Sequence, residues 1–341
     1  MSSSANQISS GLSDVSEKSE TSTHQTNTYQ ILIVDDDDVI RESIVSYLQD
    51  FYPEMALNAA HLKVYAADCV KSAKQVLSQH AIDLVITDIN LPEEDGFALI
   101  RHIENDYPDT KSAMITAYKV DDYVKMAKKT GVFNIIPKTA PFNFLELSTV
   151  VQNLLNPSSA FGLAQYMNPE TLKGGQIEEF VITNSDQIMD AFFKLREFFM
   201  GAQARRVDDL CTAMIEAMTN AVYHVAKLPD GSLKYQKGQR IEALEPEEYV
   251  SVFFGKDSDK LGVAIRDQGG RITADEVMYW LDRNISGSGL LDTHGRGVFL
   301  IHTLVDRLVI NIAPGKRTEI LVLDYFSNEY SSNKPLYINQ F

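Results

Sequence analysis

The chain has 341 residues, 44% of them hydrophobic, with 31 Lys and Arg against 47 Asp and Glu and a formal net charge of −16. That length suggests about two domains, each with a core of ordinary size. The acidic surplus argues against a surface for DNA or RNA, which needs clustered Lys and Arg, and favours protein partners and metal cations.

Residues 1–28 are rich in Ser and Thr and nearly free of large apolar side chains. They bury too little to offset ordering entropy and read as a disordered tail. Over 29–156, short apolar runs (ILIV at 31–34, LKVYAA at 62–67, DLVIT at 83–87, SAMIT at 112–116, FNIIP at 133–137) alternate with helix-like stretches. Five strands with helices between them predict a parallel α/β sheet covered on both faces, a doubly wound, flavodoxin-like fold. FYPEMALNAAH at 51–61 reads as a small insertion. Residues 157–175, with Pro, Gly and Ser and little periodicity, read as a linker.

The second half, 176–326, opens with a strand at 178–184 and a helix over SDQIMDAFFKLREFFMGA. A long amphipathic helix at about 205–226 follows, with an apolar face from Val207, Leu210, Cys211, Met214, Met218, Ala221 and Val225. Strands YVSVFFG and KLGVAIRD flank a turn, a helix opens near Ala274, and a loop at about 283–294 has the composition of a lid. The helix GVFLIHTLVDRL and the hairpin LVINIAPGKRTEILVLDYF complete an α/β sandwich, a mixed sheet covered on one face, and 327–341 read as a tail. Cys69 and Cys211 form no CxxC pair and read as reduced core thiols. No apolar stretch reaches the ~20 residues of a spanning helix, and no secretion signal is visible, so the expectation is a cytoplasmic protein without membrane contact.

The chemistry of the first half gathers at strand ends, where doubly wound sheets bind ligands. Asp35 and Asp36 follow the first strand and Asp88 the third, so both loops should meet at one edge. Converging carboxylates are costly without a counter-ion, and Mg²⁺ is a hard cation held by a few carboxylates and water. The carbonyl of Asn90 offers a further oxygen, Thr116 closes the fourth strand and Lys138 the fifth. Singly, each has a bland reading: a solvated acidic loop, a β-prone Thr, a surface Lys. Together, at the ends of different strands, they describe a phosphoryl site with an Asp nucleophile.

These motifs, IVDDD, D-I-N-L-P-x-x-D-G, I-T-A and P-K, resemble the receiver domain of two-component response regulators. The resemblance implies that Asp88 is the phospho-acceptor and that Asp35, Asp36, Asp88 and the main chain of Asn90 hold Mg²⁺. It further implies that Thr116 and Lys138 grip the phosphoryl group and that a sensor histidine kinase acts upstream. Ile135 stands where an aromatic is usual, and Thr139 where a Pro is usual.

In the second half, Glu216, Asn220 and His224 lie four apart on one helical stripe, either a polar helix edge or a metal-binding pair. Asp267, followed by Gly269 and Gly270, ends a strand, where a carboxylate can accept from an exocyclic amine such as adenine's. Gly295, Arg296 and Gly297 open a helix, whose free N–H groups suit phosphates. EAMTNAVYH, IRDQGG, HGRGVFLI and RTEI resemble the histidine-kinase-like ATP-binding fold, most closely its anti-sigma-factor serine-kinase branch. The resemblance implies ATP as cofactor, Asn220 on Mg²⁺ and Glu216 as candidate general base. It implies Asp267 and Gly269 at adenine, Gly295, Arg296 and Gly297 at phosphates, and Thr318 near the nucleotide. Arg271 replaces the usual second glycine. His224, His294 and His302 read as structural, and no phosphotransfer helix precedes the ATPase, which argues against an ordinary sensor kinase. The expected partner is a sigma factor or anti-sigma-factor antagonist, phosphorylated on Ser or Thr, or alternatively sequestered by a non-catalytic module. A homodimer is left open.

Overall fold

Among the described residues, apolar runs bounded by turn residues become eleven strands, and these belong to one sheet. The computed structural model describes residues 28–51, 61–172, 177–224, 226–228, 230–288, 295–327 and 334–341. The Ser/Thr-rich tail to residue 27, most of the insertion (52–60), the end of the linker (173–176) and 289–294 of the expected lid, with His294, lie outside the described residues.

In the first half, β1 (Thr28–Val34), β2 (His61–Ala67), β3 (Leu84–Asp88), β4 (Lys111–Thr116) and β5 (Asn134–Pro137) pair in parallel in the order β2-β1-β3-β4-β5. Helices α1 (Asp38–Ser46), α2 (Val70–Gln79), α3 (Gly96–Asp106), α4 (Val124–Lys129) and α5 (Phe144–Leu155) run between and after them. Ile31 to Val34 are completely buried, as a strand covered on both faces must be. Asp95 caps α3 through Ala98 N and Asn143 caps α5 through Glu146 N, satisfying N–H groups the helices leave open.

The second half contains β6 (Glu178–Ile182), α6 (Gln187–Gly201), α7 (Val207–His224), β7 (Val250–Lys256), β8 (Lys260–Asp267), α8 (Ala274–Ile285), α9 (Gly297–Leu304), β9 (Arg307–Ala313), β10 (Arg317–Tyr325) and β11 (Leu336–Gln340). Strands β6, β7, β8, β10 and β9 pair antiparallel in that order. The apolar face expected on α7 is buried at Leu210, Cys211, Met214, Met218 and Ala221 and half-buried at Val207, while Val225 lies outside the described residues. Helix α9 ends at Leu304, four residues before the expected Leu308. Buried Asp306 stops it: its carboxylate pairs with Arg205 and Arg206 and accepts from Tyr325 N (2.9 Å), fixing the chain at the end of β10.

Three expectations need correction. The expected tail at 327–341 contains β11, which lies between the two halves. It pairs parallel with β9 along its whole length and antiparallel with β5 through Leu336 and Tyr337, so the sheet runs on unbroken through eleven strands. The expected linker at 157–175 is a packed strap: Ala160, Leu163, Tyr166 and Met167 are buried. Gly262 in β8 makes room for it, because a Cβ there would stand 2.6 Å from Leu163 Cδ1 and 3.2 Å from Met167 Sδ. The strap therefore covers the second face of a sheet expected to be covered on one. Thr28, expected in the N-terminal tail, already belongs to β1.

Each face of the sheet carries one core shared by both halves, one under α2, α3 and α6 to α9, the other under α1, α5 and the strap. Among the described residues, no helix is long and apolar enough to cross a membrane.

Ile338 in β11 is 2% exposed. Ile338→Ala should cost about 2–5 kcal/mol through lost burial and a cavity, read as a lower denaturant midpoint. An unchanged midpoint would mean that β11 does not hold the folded sheet together.

Candidate functional site

The four adjacent carboxylates after β1 have separate tasks. Asp37 caps α1, accepting from Val39 N (2.9 Å) and Ile40 N (3.2 Å). Asp38 stands in the first turn, where the helix dipole favours negative charge, and pairs with Arg41. That leaves Asp35, fully buried, and Asp36, exposed, at the strand end. Parallel pairing of β1 with β3 brings Asp88 beside them, and the ligand oxygens of Asp35, Asp36 and Asp88 all lie within 4.8 Å of one another.

Lys138, directly after β5, reaches into this corner. Its Nζ lies 2.8 Å from Asp35 Oδ2 and 2.6 Å from Asp88 Oδ2. Burial pushes the Asp35 carboxyl above its ordinary pKa, against the pull of Lys138. Burial also works against the Lys138 ammonium, but its hydrogen bonds to Asp35 and Asp88 outweigh that and hold its pKa above the usual lysine value. Three carboxylates face one ammonium, which leaves a formal charge of −2 on hard oxygen donors. Such a donor set fits Mg²⁺.

The other expected residues surround this group. Asn90 N donates to Asp88 Oδ1 (3.2 Å), which holds the Asn90 main chain against the Asp88 carboxylate. Thr116, fully buried at the end of β4, accepts through Oγ1 from Tyr118 N (3.1 Å). Lys138 N donates to Thr116 O (2.7 Å), tying the ends of β4 and β5 together. Ile135 is fully buried in β5 between β4 and β11.

The second cluster forms where α7 packs on β8 and α9. Glu216 and Asn220 are half-buried on α7. Gly297, the first residue of α9, lies directly against them: a Cβ there would stand 2.5 Å from both Asn220 Nδ2 and Glu216 Oε1. A side chain there would push the Glu216 and Asn220 ends aside. Gly295 has φ +81°, and a Cβ on it would meet the Trp280 ring at 2.0 Å. Arg296, the N-cap of α9, is exposed.

Asp267, 7% exposed at the end of β8, accepts through Oδ1 from Gly269 N (2.8 Å) and Gly270 N (3.2 Å). Its cross-strand partner is Thr318, whose backbone and side chain also hydrogen-bond to it. Burial raises the Asp267 pKa, opposed by these bonds. Gly270 carries the positive φ, +53°, of the turn, and a Cβ there would lie 2.3 Å from Ala313 O, so the glycine at 270 serves the turn while Arg271 beside it is exposed.

The structure thus brings Asp35, Asp36, Asp88, Asn90 and Lys138 into one group, Glu216, Asn220 and Gly297 into a second, and Asp267, Gly269 and Thr318 into a third. Sequence reading missed Lys237, whose Nζ lies 3.3 Å from Glu216 Oε2. It also missed Trp280 and Asn284 of α8; Asn284 Nδ2 donates to Gly295 O (3.2 Å). Lys237 sits in a polar stretch with no periodicity to mark it, whereas Trp280, the single Trp of the chain, was a visible signal. His302 is buried on α9 and His224 ends α7.

Comparison with known proteins bears on both halves. Residues 31–152 match the response regulator receiver domain, and residues 185–322 match the histidine kinase-like ATPase domain. Response regulator protein PilR of Pseudomonas aeruginosa is 35% identical over 129 residues, which are 38% of this chain and 27% of that protein. Sensor kinase CckA of Brucella abortus is 26% identical over 140 residues, which are 40% of this chain and 14% of that protein. The chain spans only a minor part of the length of either relative. A solved response regulator receiver domain protein from Clostridium thermocellum aligns with a TM-score of 0.33 and 23% identity over 39% of this chain and 98% of its own. With the acidic corner in the first match and the Glu216, Asn220 and Gly297 contact in the second, the chain is a response regulator receiver domain followed by a histidine kinase-like ATPase domain.

Proposed function

We propose that an upstream sensor histidine kinase phosphorylates Asp88, and that this controls an ATP-binding serine/threonine-kinase output of the anti-sigma-factor type. The observation that carries the reading is the placement of Lys138 Nζ between Asp35 and Asp88, beside a third carboxylate. In this reading an Asp88 oxygen is the nucleophile, while Lys138 and the Thr116 hydroxyl receive phosphoryl oxygens. Asp35, Asp36, Asp88 and the Asn90 main chain would hold Mg²⁺, which when bound neutralises charge on the transferring group.

In the output domain, Asn220 would hold a second Mg²⁺. Asp267 would accept from the adenine amine, with Gly269 and Thr318 beside the ring. The N–H groups at Gly295 and Gly297, with Arg296, would bind phosphates. Glu216 would take the proton from a Ser or Thr hydroxyl of the protein substrate, a sigma-factor antagonist or comparable regulator. Lys237 now holds the Glu216 carboxylate and must release it first. That contact, with Arg271 in the glycine turn, favours a second reading: a phosphorylation-switched module that binds its partner without transferring phosphate.

Three measurements test these readings. Mg²⁺ at about 100 times its Kd should stabilise the protein by about 2.7 kcal/mol, seen as a raised melting temperature that Asp35→Asn largely removes. No magnesium effect on the wild type would sink the metal assignment. With a small phosphodonor and Mg²⁺, wild-type protein should gain a phosphate that base and hydroxylamine both release, and Asp88→Asn should gain none; equal labelling would move the acceptor elsewhere. With radiolabelled ATP, Mg²⁺ and candidate antagonists, the wild type should label a Ser or Thr, and Glu216→Ala should lose about 10²–10⁴-fold in rate. Nucleotide binding without transfer would favour the non-catalytic reading.

A further inference from the structure

The receiver and ATPase halves touch through elements that each end in a candidate site. Asn90, held to Asp88 through its main chain, donates from Nδ2 to Tyr123 Oη (3.1 Å). Tyr123 closes a single 3₁₀ turn, Val120–Tyr123, which leads into α4, and its ring packs 6.3 Å from that of buried Phe97. Two residues earlier in the same turn, Asp121 accepts from His302 Nε2 (3.2 Å). His302 is 4% exposed on α9, the helix whose first residue, Gly297, abuts Glu216 and Asn220. One turn of chain therefore touches the acceptor loop on one side and the phosphate-loop helix on the other.

A second contact runs parallel to the first. Lys128 of α4 pairs with Asp282 of α8 (3.2 Å) and sits 4.6 Å over the Tyr279 ring. Helix α8 also carries Trp280 and Asn284, which pack on and hydrogen-bond to Gly295. Both ends of the Gly295–Gly297 segment are thus held by helices that the receiver grips.

We infer that the Val120–Tyr123 turn and α4 couple phosphorylation of Asp88 to nucleotide binding at the Gly295–Gly297 segment, with Tyr123, Asp121 and Lys128 as positioning residues. The inference rests on the proposed reading of both sites. Phosphorylation turns the Asp88 carboxylate into an acyl phosphate, so its bonds to Asn90 N and Lys138 Nζ must rearrange. The Asn90 side chain passes that rearrangement to Tyr123, and Asp121 and Lys128 pass it to α9 and α8. Coupling of this kind is reciprocal: nucleotide must then alter the phosphorylation equilibrium of Asp88 by the same factor.

The test uses the full chain, ATP with Mg²⁺ in a calorimeter, and phosphoramidate as donor. An Asp88 oxygen forms a bond to phosphorus as the phosphorus–nitrogen bond breaks and ammonia leaves. In wild-type protein, phosphorylation should change the ATP Kd by roughly fivefold or more. Tyr123→Phe and Asp121→Ala should bind ATP and accept phosphate as the wild type does, melt at the same temperature, and lose the change in Kd. Lys128→Glu should weaken the change, and adding Asp282→Lys should restore it. ATP binding that ignores phosphorylation in the wild type overturns the coupling and leaves the site readings standing. A change in Kd that persists in both Tyr123→Phe and Asp121→Ala overturns this route. No ATP binding at all overturns the nucleotide site and the coupling with it.

Discussion

A sheet edge must be paired, covered or blunted, because its free N–H and C=O groups otherwise invite another strand. Here β5 would be the edge of the parallel sheet and β9 the edge of the mixed one, and β11 satisfies both. Ile338 N donates to Phe133 O (2.9 Å), and Asn134 Nδ2 donates to Ile338 O (3.4 Å). Buried Arg307 of β9 stacks over Tyr337 of β11 and pairs with buried Glu146 of α5 (3.3 Å), so charge from each half meets beneath the shared strand. Two domains that share a strand and both cores have little freedom to reorient, and the contacts between α4, α8 and α9 follow from that.

The acidic corner rests on a different balance. Burying two carboxylates beside a third is unfavourable unless positive charge is close. Lys138 supplies one such charge, donating to Asp88 Oδ2 (2.6 Å) and pairing with Asp35 Oδ2 (2.8 Å). The remaining formal charge of −2 keeps the site open to a divalent cation. Asp36, exposed, lets solvent reach the cation position, while the buried pair stays dry enough for its charge to act strongly.

Most of the secondary structure, and the meeting of Asp35, Asp36 and Asp88 at one sheet edge, were legible because local rules wrote the strand ends that carry them. Strand runs, the Asp88 and Lys138 positions and the Gly297 helix start all depend on neighbours in sequence. What was missed depends on distant residues. LYINQ is five residues long and follows a polar stretch, and its partners lie about 28 and 204 positions away. The strap was read as a linker because its composition is that of one; only Gly262, on β8, makes its Leu163 and Met167 core residues. Of the four adjacent aspartates, Asp35 and Asp36 were the expected site residues and do meet Asp88, whereas the tasks of Asp37 as a helix cap and Asp38 as a first-turn partner of Arg41 were not read from the run.

The strap also decides how a signal can travel. Glu319 of β10 is fully buried. One oxygen accepts from Arg266 Nε (3.0 Å) and Nη2 (2.7 Å), and the other from Gly162 N (2.8 Å) in the strap. Asn311 Nδ2 donates to Ala160 O (2.6 Å), and Asn153 Nδ2 of α5 donates to Tyr166 Oη (3.1 Å). A buried network of this kind is costly to disturb, because each broken bond leaves a desolvated polar group behind. It joins α5, the strap and the strands carrying Asp267 and Thr318 into one rigid layer. A change at Asp88 therefore cannot swing one half about the strap. The inferred coupling runs instead on the opposite face of the sheet, where half-buried Lys128 of α4 pairs with half-buried Asp282 of α8 and Asp121 of the Val120–Tyr123 turn accepts from buried His302 of α9; the partly solvated Lys128–Asp282 pair is the cheaper of the two contacts to rearrange.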